Sequence, residues 1–173
     1  MRILTAALFV ALALVPAACN KKSAEAATVA PGAAYDTSEA ANAKFLTDYA
    51  AQKGVVKTPD GLLYRVIKSG KGKTAQTTED MVTVLYKGQL ITGKTFDETK
   101  PGNPASFPAG RLIPGWVEAL SLMKEGDEWE LVIPANLGYG PEGAGDGAIP
   151  GNQTLVFRMT LLKVDPAPPL PAQ

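Results

Sequence analysis

At 173 residues the chain suits one domain with appendages, by the usual prior of roughly 150 residues per domain. Its 17 Lys and Arg balance 17 Asp and Glu, so no basic surplus points to nucleic acid. With no histidine and one cysteine, Ser-His-Asp and Cys-His nucleophile systems and the usual zinc sites cannot be assembled, and no metal ligand set is expected.

The opening "MRILTAALFVALALVPAAC" joins one arginine to an apolar run and then to small residues. The run is short of the roughly 20 residues a bilayer span needs, and Pro16 interrupts its end, so residues 1–18 read as a secretory signal. Cys19, directly after Ala17 and Ala18, resembles the lipidated cysteine of a bacterial lipobox, with Pro16 where that motif usually has leucine. Ordinary cleavage after Ala17, leaving a free thiol, is the alternative. A lipid on Cys19 implies a bacterial periplasmic protein anchored to a membrane. Asn20, in place of the aspartate of the best-known inner-membrane retention signal, favours the outer membrane. An exported chain with a single cysteine forms no internal disulfide.

Residues 19–37 are alanine-rich and polar with no sustained apolar period, and read as a flexible tether. In "TSEAANAKFLTDYAAQKG" (residues 37–54), Thr37 or Ser38 can cap a helix and Gly54 can stop it, which predicts a helical segment over 38–55. Phe45, Leu46 and Tyr49 give it a narrow apolar stripe, and a short helix of this kind is expected to dock on the domain C-terminal to it.

That domain is expected over 56–165, with a disordered proline-rich tail, 166–173, after it. "LLYRVIKSG", "MVTVLYKGQLI", "TFDET", "EWELVIPAN" and "TLVFRMTLLKV" have the β-branched and aromatic content of strands between Gly, Pro and Asp punctuation. In the second, Val82, Val84 and Tyr86 share a face opposite Thr83, Leu85 and Lys87. "KSGKGK" (68–73) reads as a solvated loop. "PGWVEALSLMKEG" is the one clear helix of the domain, with Pro114 at its start, Trp116, Val117, Leu120 and Met123 as its buried stripe and Gly126 as its cap. "GPEGAGDGAIPG" lacks the lysine of a phosphate loop and the alternating acidic ligands of a calcium loop, and reads as a long connection. The pattern predicts an α+β fold, a curved antiparallel sheet of about five strands wrapped around one short amphipathic helix and preceded by one N-terminal helix.

"VTVLYKGQLITGKTFDET", "LIPGWVEALSLMKEGDEWELVIPANLGYG" and "AIPGNQTLVFRMTLLKV" resemble, in that order, the blocks of the FKBP-type peptidyl-prolyl cis-trans isomerases. "NAKFLTDYAAQKGVVKTPDGLLYRVIKSG" before them is similar to the helix-to-domain junction of the Mip-like periplasmic branch, so the resemblance runs from about Asn42 to Val164. It implies rotation of X-Pro bonds in proline-containing exported polypeptides, with no cofactor. It also implies macrolide inhibitor binding and an apolar pocket between sheet and helix. Tyr86, Phe96, Asp97 and Tyr139 are the implied catalytic residues. Leu112, Ile113, Trp116 (the pocket floor), Ile149 and Phe157 are the implied substrate-binding residues. Phe107 and Tyr64 read as packing. Ala105 and Ala148 stand where the family often has larger side chains, which implies a more open rim. The alternative is a non-catalytic periplasmic chaperone or peptide-binding module.

Overall fold

The computed structural model describes residues 30–167 apart from residue 33. The expected signal, Cys19, most of the expected tether and the tail from 168 onward lie outside the described residues. Helix α1 (Glu39–Ala50) is followed by β1 (Val55–Lys57), β2 (Leu63–Lys68), β3 (Met81–Leu90), β4 (Thr95–Glu98) and β5 (Ala105–Pro108). Helix α2 (Pro114–Leu122), β6 (Glu128–Ile133), a 3-10 turn (Ala135–Leu137) and β7 (Leu155–Asp165) complete the order. All seven strands form one antiparallel sheet, β1-β2-β6-β7-β3-β4, in which β5 also pairs with β3. Strand β3 therefore has β7 along one side and, on the other, β5 against its first half and β4 against its second. The α+β architecture agrees with the sequence reading, with seven strands rather than about five.

Strand alternation sorts the side chains into two layers. Val82, Val84 and Leu90 of β3, Leu131 and Ile133 of β6, and Leu155, Phe157 and Met159 of β7 turn inward against Trp116, Ala119, Leu120 and Met123. Helix α2 starts with Pro114 at its first turn after an extended Ile113, and ends at Leu122 with Met123 as its cap. Gly126 (φ 91°) thus shapes the next turn instead of capping the helix, and Ala119 takes the core position expected of Val117, which is half-buried.

Helix α1 covers the other face. Ser38 Oγ caps it by accepting the N–H of Ala41 at 3.2 Å. Phe45 and Tyr49, both fully buried, pack on Leu63, Ile91, Val132 and Val156. Burying a side chain of this size contributes about 1.5–3 kcal/mol, which explains why a helix of 12 residues holds its place here. Val132 and Val156 interrupt what would otherwise be an exposed polar face, where Glu128, Glu130 and Arg158 stand. At the far end Ala167, assigned to the tail by sequence, donates its N–H to Asp80 Oδ1 at 2.9 Å. Among the described residues no helix is long and apolar enough to cross a membrane.

Candidate active site

Tyr86 and Gly88 lie on the inner face of β3, and β4 brings Phe96 and Asp97 beside them. Consecutive residues of a regular strand point to opposite faces. Here Gly88 pairs with Asp97 but Gln89 pairs with Thr95, so Phe96 is the extra residue of a bulge, and both Phe96 and Asp97 reach the same cavity. On the other side of β3, Gly88 pairs with Phe157 of β7. A Cβ on Gly88 would lie 2.7 Å from ring atoms of both Phe96 and Phe157, so only glycine lets the two rings close over the strand. Thr99 fixes Tyr86 from behind: its Oγ1 accepts the N–H of Tyr86 at 2.9 Å and its own N–H donates to the Tyr86 carbonyl at 3.0 Å.

The cavity measures about 390 Å³, within the range of small-molecule and peptide side-chain sites. Trp116, 5% exposed, meets Tyr86 edge-to-face (centroids 5.0 Å, 83°), Phe157 likewise (5.1 Å, 83°) and Phe107 at 6.4 Å. Phe96 meets Phe157 at 5.6 Å and 84°. Such edge-to-face pairs contribute roughly 0.5–1.5 kcal/mol each beyond their burial and set ring orientation. The buried Trp116 Nε1 has no hydrogen-bond partner among the described residues.

One carboxylate faces this apolar surface. The Tyr86 hydroxyl donates to Asp97 Oδ2 at 2.6 Å, a short charge-assisted bond that fixes both groups. Burial, and then the Asp97 carboxylate, push the Tyr86 phenol well above its usual range, so it stays a donor. Burial and the Asp97 charge raise Tyr139 in the same direction. The site thus offers apolar walls, two protonated phenols and a carboxylate already engaged. It is suited to gripping a group and excluding water from it.

Eight of the nine side chains expected from sequence line this one cavity: Tyr86, Phe96, Asp97, Leu112, Ile113, Trp116, Tyr139 and Phe157. Ile149 does not. It is 6% exposed, exchanges backbone hydrogen bonds with Ala144 (2.9 and 3.0 Å) and packs in the core behind the wall. Phe107, read as packing, both packs on the core and lines the cavity, and Arg111 lines it too. Neither Ala105 nor Ala148 forms part of the wall. Sequence reasoning missed Gly88 and Arg111. A glycine inside a strand pattern was a signal for the first, whereas nothing distinguished the second from other exposed cations.

A sequence model of the family described as FKBP-type peptidyl-prolyl cis-trans isomerase matches residues 72–162. A second, described as the domain amino terminal to FKBP-type peptidyl-prolyl isomerase, matches residues 11–66. The chain is 48% identical over 122 residues to the FKBP-type 22 kDa peptidyl-prolyl cis-trans isomerase of Escherichia coli, covering 70% of this chain and 58% of that protein. It is 45% identical over 124 residues to the outer membrane protein MIP of Legionella longbeachae, covering 71% and 52%. The crystal structure of FkpA from Escherichia coli superposes with a TM-score of 0.70 at 44% identity, over 75% of this chain and 60% of that one. The chain spans about half the length of the curated relatives it matches.

Proposed function

The chain belongs to the family of FKBP-type peptidyl-prolyl cis-trans isomerases, and from that membership we propose that it accelerates rotation about X-Pro bonds in exported, flexible polypeptides. The observation that carries the reading is the aromatic-walled cavity with Asp97 bonded to Tyr86 in its wall. Rotation about a peptide bond is opposed by amide resonance, a barrier of about 18–20 kcal/mol, and uncatalysed X-Pro exchange takes tens to hundreds of seconds. The twisted amide has lost that resonance and is less polar than the planar one. An apolar cavity therefore favours the twisted form relative to the planar ground state, and each ~1.4 kcal/mol of difference is tenfold in rate. No bond is made or broken, so no nucleophile or general base is needed.

In this reading the proline ring stacks over Trp116, between Tyr86, Phe96 and Phe157. The N–H of Ile113 and the hydroxyl of Tyr139, neither of which donates a hydrogen bond among the described residues, hold substrate carbonyls. Asp97 orients the twisting carbonyl through its charge while Tyr86 holds the carboxylate. Leu112 closes the apolar wall, and Ile149 supports it from the core. The cavity is also large enough to take part of a macrolide, which would compete with peptide.

The test is protease-free cis/trans exchange of a short X-Pro peptide by residues 20–173, with Asp97→Val and Phe96→Ala beside it. Catalysed exchange that each variant lowers by about ten-fold or more supports the reading. Exchange no faster than the uncatalysed rate from a folded protein refutes it and leaves a peptide-binding chaperone, to be assayed by aggregation suppression.

The export signal, lipidation at Cys19 and residence at the outer membrane form the cellular half of the proposal. They are supported by the sequence at the Ala18–Cys19 junction and by similarity to a protein named for the outer membrane. Mass spectrometry of the mature N-terminus would find an acylated Cys19 and lose it in Cys19→Ser. An unmodified N-terminus elsewhere would remove the anchor.

A further inference from the structure

Two buried amide side chains, Asn42 and Gln153, and the backbone N–H of buried Thr154 join helix α1 to the loop that carries Tyr139, and the catalytic reading gives them no task. Asn42 is 4% exposed, Gln153 4% and Thr154 1%. Asn42 Oδ1 accepts the N–H of Thr154 at 2.7 Å, and its Nδ2 donates to the Ser38 carbonyl at 2.9 Å and reaches Gln153 Oε1 at 3.4 Å. Gln153 Nε2 donates to the carbonyls of Thr37 at 2.9 Å and Gly151 at 3.2 Å. Burying amides is costly unless their hydrogen bonds are met, and a buried network whose bonds are met selects one arrangement more than it adds stability. The network is therefore a device for placing something.

What it holds is the neck of the loop between β6 and β7. The N–H of Asn152 donates to the Gly140 carbonyl at 2.8 Å, with Asn152 at φ 60°. A Cβ on Gly151 would lie 1.9 Å from the Pro141 carbonyl oxygen, so the two sides of the neck touch backbone to backbone. Tyr139 adjoins one side of this neck and Gln153 the other. The Tyr139 ring lines the cavity, yet its hydroxyl makes no hydrogen bond among the described residues. Its backbone is held on both sides by the 3-10 turn, where the N–H groups of Gly138 and Gly140 donate to the Ala135 carbonyl at 3.0 and 2.9 Å, and is tied from Gly140 through the neck to α1.

We propose that Asn42 and Gln153 are positioning residues for Tyr139, so that helix α1 shapes the substrate site through the neck of the loop instead of merely spacing the domain. The inference rests on Tyr139 holding a substrate carbonyl. It predicts that Asn42→Ala and Gln153→Ala each lower kcat/KM for an X-Pro peptide by about five-fold, because small displacements of a positioning group are felt in rate. The loss should largely vanish in a Tyr139→Phe background, where the hydroxyl being positioned is gone.

The experiment is this double-mutant cycle on residues 20–173, run at a temperature where each variant is folded, with amide hydrogen exchange at Gly140 and Asn152 measured alongside. Lys44→Ala, which removes the exposed Lys44–Asp48 ion pair of α1 and touches neither the neck nor the sheet, should leave kcat/KM unchanged. If Asn42→Ala does not fold, Gln153→Ala carries the cycle. Losses that add independently to that of Tyr139→Phe, or variants with unchanged kcat/KM and unchanged protection at both amides, overturn the proposal. A folded wild type without catalysis would refute the isomerase reading, and amide exchange in Asn42→Ala and Gln153→Ala would then decide whether α1 holds the neck.

Discussion

Gly88→Ala tests whether the cavity works by the fit of its rings. The added methyl would sit 2.7 Å from Phe157 Cε1 and from Phe96 Cε2, about 0.8 Å inside the ~3.5 Å at which carbon atoms make their best contact. Gly88 does not occupy the left-handed region, so alanine is free to adopt its backbone and the effect is steric. Phe157 is held edge-to-face by both Phe96 and Trp116 and cannot withdraw without opening those contacts. Overpacking a site of this kind costs about 1–3 kcal/mol of stability. Activity should suffer more, since ring displacements approaching 1 Å in a site whose proline-binding wall is made of these rings cost roughly ten- to a hundred-fold in kcat/KM. Urea unfolding gives the first quantity and protease-free peptide exchange the second. A Gly88→Ala protein with wild-type exchange rates would show that ring placement does not limit the reaction, and the argument from a fitted cavity would fall.

Arg111 lines the cavity and forms no ion pair among the described residues, so its charge is available to a substrate. Peptides with glutamate beside the proline should be preferred over those with lysine by about two- to five-fold, the scale of an exposed ion pair, and the preference should invert in Arg111→Glu and fade in high salt. An unchanged ratio in the variant would show that the guanidinium does not meet the substrate. Asp80, 3% exposed, accepts N–H groups from Ala167 (2.9 Å) and Gln76 (2.7 Å) and the Thr77 hydroxyl (2.7 Å), which hold its carboxyl well below the usual range. A depressed folded-state pKa contributes stability that is present above the ordinary value of 3.8 and lost as pH falls toward the folded value. Asp80→Asn should therefore be less stable at pH 7 by about 1–3 kcal/mol, with the gap narrowing below about pH 4; a gap constant from pH 7 to pH 3 would refute the linkage.

The parts of this fold legible in the sequence were those whose pattern repeats. The alternation of Val82, Val84 and Tyr86 fixed the inner face of β3, and Trp116, Leu120 and Met123 marked the buried side of α2. Strands β1 and β5, three and four residues long at the sheet edges, were too short to carry a period. The place of Phe96 and Asp97 in one cavity came from resemblance and not from alternation, which puts consecutive residues on opposite faces; the bulge that reconciles them depends on pairing with β3. Asn42 was invisible for a different reason. In a helix pattern it reads as an exposed polar residue, and its partner Thr154 lies 112 positions away. Ile149 shows the limit of carrying a role across by motif, because a position in the right block can support a wall without forming it.

The two layers on the sheet bear on how a cavity without reactive groups can act. In β7, Val156 is buried beneath α1 on one face while its neighbour Phe157 forms cavity wall on the other; in β6, Val132 under α1 adjoins the core residues Leu131 and Ile133. At Phe157 the wall is thus packed from behind, one residue away, by the contacts of Val156 beneath α1. A planar and a twisted amide differ little in shape, so a wall that relaxed around either would bind both alike and change no rate. Discrimination between them requires walls that do not reorganise during the rotation, as with any preorganised environment. Close packing on both faces provides that stiffness at β7, because displacing Phe157 would have to disturb two cores at once.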